Sequence, residues 1–140
     1  MLERDVVLSK ISIIKNCLSR IKAVTKLNPE LLDDYTVQDV FVLNLQRAIQ
    51  AAIDLANLVI ASKNYRLLNS YKMSFFILNE NGWIDAKTCQ RMQKMVGFRN
   101  IAIHGYREID VEILKSILSK HLGNFEKFYK KFLTHATWIF

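Results

Sequence analysis

The chain has 140 residues, 51% of them hydrophobic, with 20 Lys and Arg against 13 Asp and Glu. That length suits one domain, 1–140, able to bury roughly 70% of its unfolded surface without crosslinks. Cys17 and Cys89 are the only two cysteines and have no partner at redox or metal-ligand spacing, which argues against a disulfide framework and for a reducing cytoplasm.

The start of the chain holds Glu3, Arg4 and Asp5 rather than a basic head and apolar run, so no signal peptide is read there. The apolar stretch from Val37 to Ala61 is broken by Gln38, Asp39, Asn44, Gln46, Arg47, Gln50 and Asp54, a set that a bilayer does not accept. No membrane role is expected. The formal charge of +7 permits polyanion binding without requiring it.

One Pro and four Gly leave few places to interrupt helices. Val7, Ile11, Ile14, Leu18 and Ile21 form the apolar stripe of a first helix, expected to stop before Pro29. Thr36 with Asp39 resembles a capping box for a second helix of about 25 residues, striped by Phe41, Leu45, Ala48, Ala52, Leu55 and Val59. Lys63–Asn69 reads as a polar connector. Ser70 is placed as cap of a short third helix through Phe75, Phe76 and Leu78, ended by Gly82. Asp85 begins a fourth helix with Met92, Met95, Val96, Phe98 and Ile101, and Gly105 ends it. Asp110 caps one last helix striped by Leu114, Ile117, Phe125, Phe128 and Phe132. The pattern predicts an all-α, antiparallel bundle of about five helices.

The informative segment is Phe98-Arg99-Asn100-Ile101-Ala102-Ile103-His104-Gly105-Tyr106. At about 100° per residue, Arg99 and His104 lie roughly 140° apart on a regular helix. They converge only if the last turn unwinds, or each instead meets residues of a second subunit. Asn100 and His104, four apart, share a face, so Asn100 is a candidate to orient the imidazole or hold a phosphate.

This segment resembles the R-x4-H-x-Y signature of the HepT-like toxins, a branch of the HEPN ribonuclease superfamily. The likeness extends to Asn44-Leu45-Gln46-Arg47-Ala48, Ala52-Ile53-Asp54-Leu55-Ala56 and Met95-Val96-Gly97-Phe98. It implies a HEPN-type bundle that homodimerises and builds a cleft from both copies of the motif. It further implies a metal-independent endoribonuclease toxin without cofactor, with RNA as substrate, and Arg99 and His104 as catalytic residues. RNA brings its own nucleophile, the 2′-hydroxyl, so a base, an acid and a cation suffice. Histidine titrates near working pH, and arginine offers a permanently charged fork of donors.

Asp54, on a helix poor in charge, has two readings. Either it faces the cleft and positions Arg99 or His104, or it is structural, paired with Arg47 or Lys63 or simply exposed on the polar side. Asn44, Gln46, Arg47 and Gln50 extend the same polar face. The family's partner is an MntA-like nucleotidyltransferase antitoxin, which transfers AMP to the tyrosine of the motif, here Tyr106. Gly105 departs from the polar or acidic residue that related sequences often carry. The alternative function is a non-enzymatic subunit that binds such a nucleotidyltransferase or its substrate. His121, in phase with the last stripe, reads as a core or rim residue, and His135 as exposed. Lys127, Lys130 and Lys131 alternate with Phe125, Phe128, Tyr129 and Phe132 at helical spacing, the pattern of a core with wet lysines. Trp138, Ile139 and Phe140 are expected to pack on the bundle or a dimer mate.

Overall fold

The computed structural model describes residues 4–66 and 70–134, so His135 and Trp138–Phe140 lie outside the described residues. Among these, six α-helices and two 3-10 turns account for the regular structure: α1 (Arg4–Thr25), α2 (Tyr35–Ser62), α3 (Tyr71–Glu80), α4 (Ala86–Ile103), α5 (Val111–Lys120) and α6 (Gly123–Thr134). The turns are Pro29–Asp33 and Tyr106–Glu108.

Val7, Ile11, Ile14 and Ile21 of the α1 stripe are buried as expected, Leu18 is half-buried while Cys17 beside it is buried, and the helix stops four residues before Pro29. Lys26 and Leu27 turn left-handed there, at φ 53° and 59°. The Thr25 hydroxyl donates to Ile21 O at 2.7 Å and accepts from Leu27 N at 3.2 Å, which holds the turn. The start of α2 also differs from the capping box. Asp34 is the cap, accepting from Thr36 N at 2.8 Å and Val37 N at 3.2 Å. Asp39 faces elsewhere, because Arg107 engages it at 2.9 Å.

At 28 residues, α2 runs for about 42 Å and is the spine of the bundle. Ala48, Ala51, Ala52 and Ala56 are buried along it, and such small side chains let neighbours approach on several sides. It packs against α1, α3, α4 and α6, which is why its long apolar run is hidden in protein. Lys10 meets Asp54 while Cys17 senses the charge of Arg47, so α1 and α2 run antiparallel.

Ser70 and Asp85 cap α3 and α4 as expected, through Met73 N and Thr88 N. The expected last helix is two. It breaks at His121 and Leu122, where Gly123 and Asn124 follow in sequence, and glycine costs a helix interior about 1 kcal/mol. The break lets α5 lie on the Pro29–Asp33 turn while α6 packs on α4 and α1. The core is closed by aromatic contacts: the Phe128 ring sits 5.4 Å from Phe75 and 5.0 Å from Phe132. Phe125, Phe128 and Phe132 are buried while Lys127 and Lys130 are exposed, as the periodicity predicts.

Candidate functional site

Arg99 falls in phase with Met92 and Val96, the buried stripe of α4, and so points toward α2 rather than into solvent. Its Nη2 donates to Gln50 Oε1 at 2.6 Å. Gln50 Nε2 donates in turn to Asp54 Oδ1 at 2.8 Å, and Lys10 Nζ lies 3.3 Å from Asp54 Oδ2. A line of four side chains thus crosses α4, α2 and α1. Arg99 Nη1 also donates to Asn100 Oδ1 at 3.3 Å, and its guanidinium carbon lies 5.4 Å from the Tyr71 ring centroid.

The order of that line matters electrostatically. Gln50 stands between Arg99 and the carboxylate, so the guanidinium is held by a neutral amide and keeps its full charge. A direct Arg99–Asp54 pair would have fixed the same side chain and cancelled its charge. Asp54 therefore reaches Arg99 through Gln50, and its cationic partner is Lys10, not Arg47 or Lys63. Asn100 bonds Arg99 instead of the imidazole of His104.

His104 terminates α4 with helical backbone angles, φ −86° and ψ −6°. The helix stays wound through Ile103, so unwinding does not bring Arg99 and His104 together. They remain on different faces. The His104 side chain is exposed and makes no hydrogen bond to a described residue. It lines an open groove with Asn100, Ile101, Gly105, Glu108 and Ile109. Gly105 reverses the chain at φ +140°, a conformation that side chains disfavour.

Beyond Gly105, Tyr106–Glu108 forms the second 3-10 turn, with Ile109 N donating to Tyr106 O at 2.9 Å. Tyr106 is half-buried against the core. The next residue, Arg107, anchors the turn to the start of α2. Its Nη2 lies 2.9 Å from Asp39 Oδ1 and its Nη1 donates to Gln38 Oε1 at 3.4 Å. The Arg107 guanidinium carbon sits 4.2 Å from the Tyr35 ring centroid and 5.2 Å from that of Tyr106.

Two of these residues carried little weight in the sequence. Gln50 and Asp54 stand four apart, a spacing at which side chains on a helix meet, and that was the available signal for Gln50. Nothing local marks Arg107, whose partners lie 68 and 69 residues away. His121 is exposed at the end of α5, not part of the core. Burial pushes the Cys17 and Cys89 thiols up, so both stay protonated and unreactive. Among the described residues, no three His, Cys, Asp or Glu side chains gather in a metal-binding group. Nor is any described helix long and apolar enough to cross a membrane.

A half-buried arginine held by a neutral amide, an exposed histidine five residues on at a helix end and a tyrosine two residues beyond it sit on a small helical bundle, and likeness to known proteins assigns that bundle to a class. Residues 14–132 match the family described as Ribonuclease HepT-like, and the chain belongs to that family. It is 37% identical to an mRNA nuclease HepT of Shewanella oneidensis over 89% of this chain and 93% of that protein. A putative RNase of Archaeoglobus fulgidus is 28% identical over 93% of this chain and 92% of its own length. Among solved structures, a toxin–antitoxin with AMP-PNP superposes with a TM-score of 0.89 at 34% identity, covering 94% of this chain and 99% of that one. A tri-AMPylated Shewanella oneidensis HEPN toxin in complex with MNT antitoxin gives 0.88 at 35% identity, over 94% and 98%.

Proposed function

We propose that this protein is a metal-independent endoribonuclease, the toxin of a toxin–antitoxin pair, acting in the cytoplasm as a homodimer. The observation that carries the reading is Arg99, fixed at 2.6 Å by Gln50 with its charge uncancelled, in the same motif as the unengaged imidazole of His104.

In this reading His104 takes the proton of a ribose 2′-hydroxyl as that oxygen bonds to the adjacent phosphorus. The P–O5′ bond breaks, and the leaving O5′ takes up a proton from the His104 of a second copy. Arg99 stabilises the charge that builds on the phosphorane. The products are a 2′,3′-cyclic phosphate and a 5′-hydroxyl. Arg99 and His104 occupy different faces of α4, so one chain supplies half a cleft. Ile101 and Ile103, 63% and 52% exposed beside His104, favour a second copy as the cover.

The relative solved with MNT antitoxin is tri-AMPylated, which supports an MntA-like nucleotidyltransferase as partner and Tyr106 as the AMP acceptor here. Phosphate and nucleoside placed two residues from His104 would fill the groove and repel the RNA backbone. The test is cleavage of RNA in EDTA by purified protein, with product ends read by mass spectrometry. Cyclic phosphate ends are expected from the wild type, with His104→Ala slowed by about 10²–10⁴. Undiminished cutting by His104→Ala and Arg99→Ala defeats the assignment.

A further inference from the structure

A third face of α4 looks away from both Arg99 and His104. Arg91, Lys94 and Phe98 lie on it, and with Ile117, His121 and Asn124 across from them they line a half-open cavity of about 350 Å3. That lies at the small end of pockets that hold small molecules. Arg91 and Lys94 are the only formally charged side chains in its lining, and neither makes an ion pair with a described residue. An anion is the natural complement.

The floor narrows the choice. Asn124 is only 7% exposed, its backbone N–H donates to His121 O at 3.1 Å, and its side-chain amide makes no hydrogen bond to a described residue. The residue is largely buried, but its amide atoms are not sealed off and line the cavity, where they are open to a ligand. It presents a donor and an acceptor side by side, the pair that matches the edge of a purine such as adenine. Ile117 is buried in the same lining, and Phe98, half-buried against the core, contributes its aromatic ring to the cavity wall, where a flat heterocycle can pack. Depth sorts the groups: the amide and aliphatic side chain are inside, and Lys94 is exposed at the rim.

We infer that this cavity binds a purine nucleotide unit, with the base stacked on Phe98 and read by Asn124 and the phosphate held by Arg91 and Lys94. One chemistry has two sources, a free mononucleotide or a nucleotide of a bound RNA strand. The second source rests on the ribonuclease reading; the pocket itself does not.

The experiment is an NMR titration of the 15N-labelled full-length His104→Ala protein, which preserves any RNA added. AMP is expected to move the Asn124 side-chain amide and the Phe98 and Ile117 backbone amides, with a Kd near 1 mM or tighter. Replacing half-buried Arg91 and exposed Lys94 together by Ala, with the fold checked by the amide spectrum of the free variant, is expected to weaken AMP by about tenfold or more. Asn124→Ala is expected to weaken it while leaving inorganic phosphate binding unchanged. The inference is overturned if AMP moves none of these signals, if the double variant binds it equally well, or if inorganic phosphate binds as tightly as AMP. Competition between AMP and a short single-stranded RNA, with RNA affinity also lowered in the double variant, assigns the site to the RNA strand. AMP binding without such competition assigns it to a free nucleotide. Cleavage is scored separately on protein with His104 intact. A chain that binds AMP but cuts no RNA loses the nuclease reading and keeps the pocket; one that cuts RNA but binds no AMP does the reverse.

Discussion

Replacing Gln50 by Met tests whether Arg99 works because it is held. The substitution nearly conserves volume and removes both the acceptor of the 2.6 Å bond from Arg99 and the donor to Asp54. A hydrogen bond to a charged group is worth about 1.5–3 kcal/mol net. Without it Arg99 samples other rotamers, and the population in the working geometry falls by about 10–100-fold. The guanidinium stays charged and nearby, so its attraction for RNA persists and the loss is expected in kcat with KM little changed. Asp54 keeps Lys10, and a volume-conserving change at a half-buried position costs the fold less than about 1.5 kcal/mol. Single-turnover cleavage of a fluorescent RNA measures the rate, and urea unfolding checks the fold. Gln50→Glu separates holding from neutrality: it retains an acceptor but cancels the charge of Arg99 and crowds Asp54, so it too is expected to be slow. Wild-type kcat in Gln50→Met, with the protein folded, refutes the reasoning.

Gly105→Ala meets no atom within 4 Å, so any cost comes from the backbone at φ +140°. A loss of about 1–3 kcal/mol in urea unfolding is expected, along with misdirection of Tyr106. Asp85 caps α4 through Thr88 N at 2.7 Å, and that bond holds its carboxyl below the usual carboxylate range. A lowered folded-state value means the stabilisation is present above the unfolded value near 3.9 and is lost as pH falls through the folded one. Asp85→Ala is therefore expected to cost about 1 kcal/mol at neutral pH and to converge with the wild type in strong acid, as seen in thermal melts across pH.

The helices were readable from the sequence because period and capping are local properties. Ser70 and Asp85 cap where they stand, and Val7, Ile11, Ile14 and Ile21 of the α1 stripe are buried, with Leu18 half-buried at its edge. What failed depended on partners distant in sequence. Asp39 reads as part of a capping box until Arg107 claims it. The aromatic stripe of the last segment runs on through His121, but two short helices face different neighbours better than one straight helix does. The motif itself was legible as Arg, His and Tyr at fixed spacing. Its working detail was not, since whether Arg99 bonds a neutral amide or a carboxylate depends on which residue of α2 stands opposite.

Both sides of the motif are in fact held by α2, and His104 lies between the two attachments. Gln50 fixes Arg99 on one side, while Gln38, Asp39 and Tyr35 fix Arg107 on the other. The second attachment is exposed, so each part is weak: an ion pair of this kind contributes about 0.2–1 kcal/mol and an exposed cation–π contact about 0.5–1 kcal/mol. Together they hold the 3-10 turn by about 1–2 kcal/mol, enough to slow its local opening by roughly 5–30-fold. Arg107→Ala is accordingly expected to speed hydrogen exchange at the amides of Glu108 and Ile109 by that factor, while the core amides of α2 keep their protection. Unchanged protection at Glu108 and Ile109 means that Tyr106 is positioned by its own packing alone. Accelerated exchange there, with α2 unaffected, makes the turn carrying Tyr106 a separately opening unit, pinned to the helix that also holds Arg99.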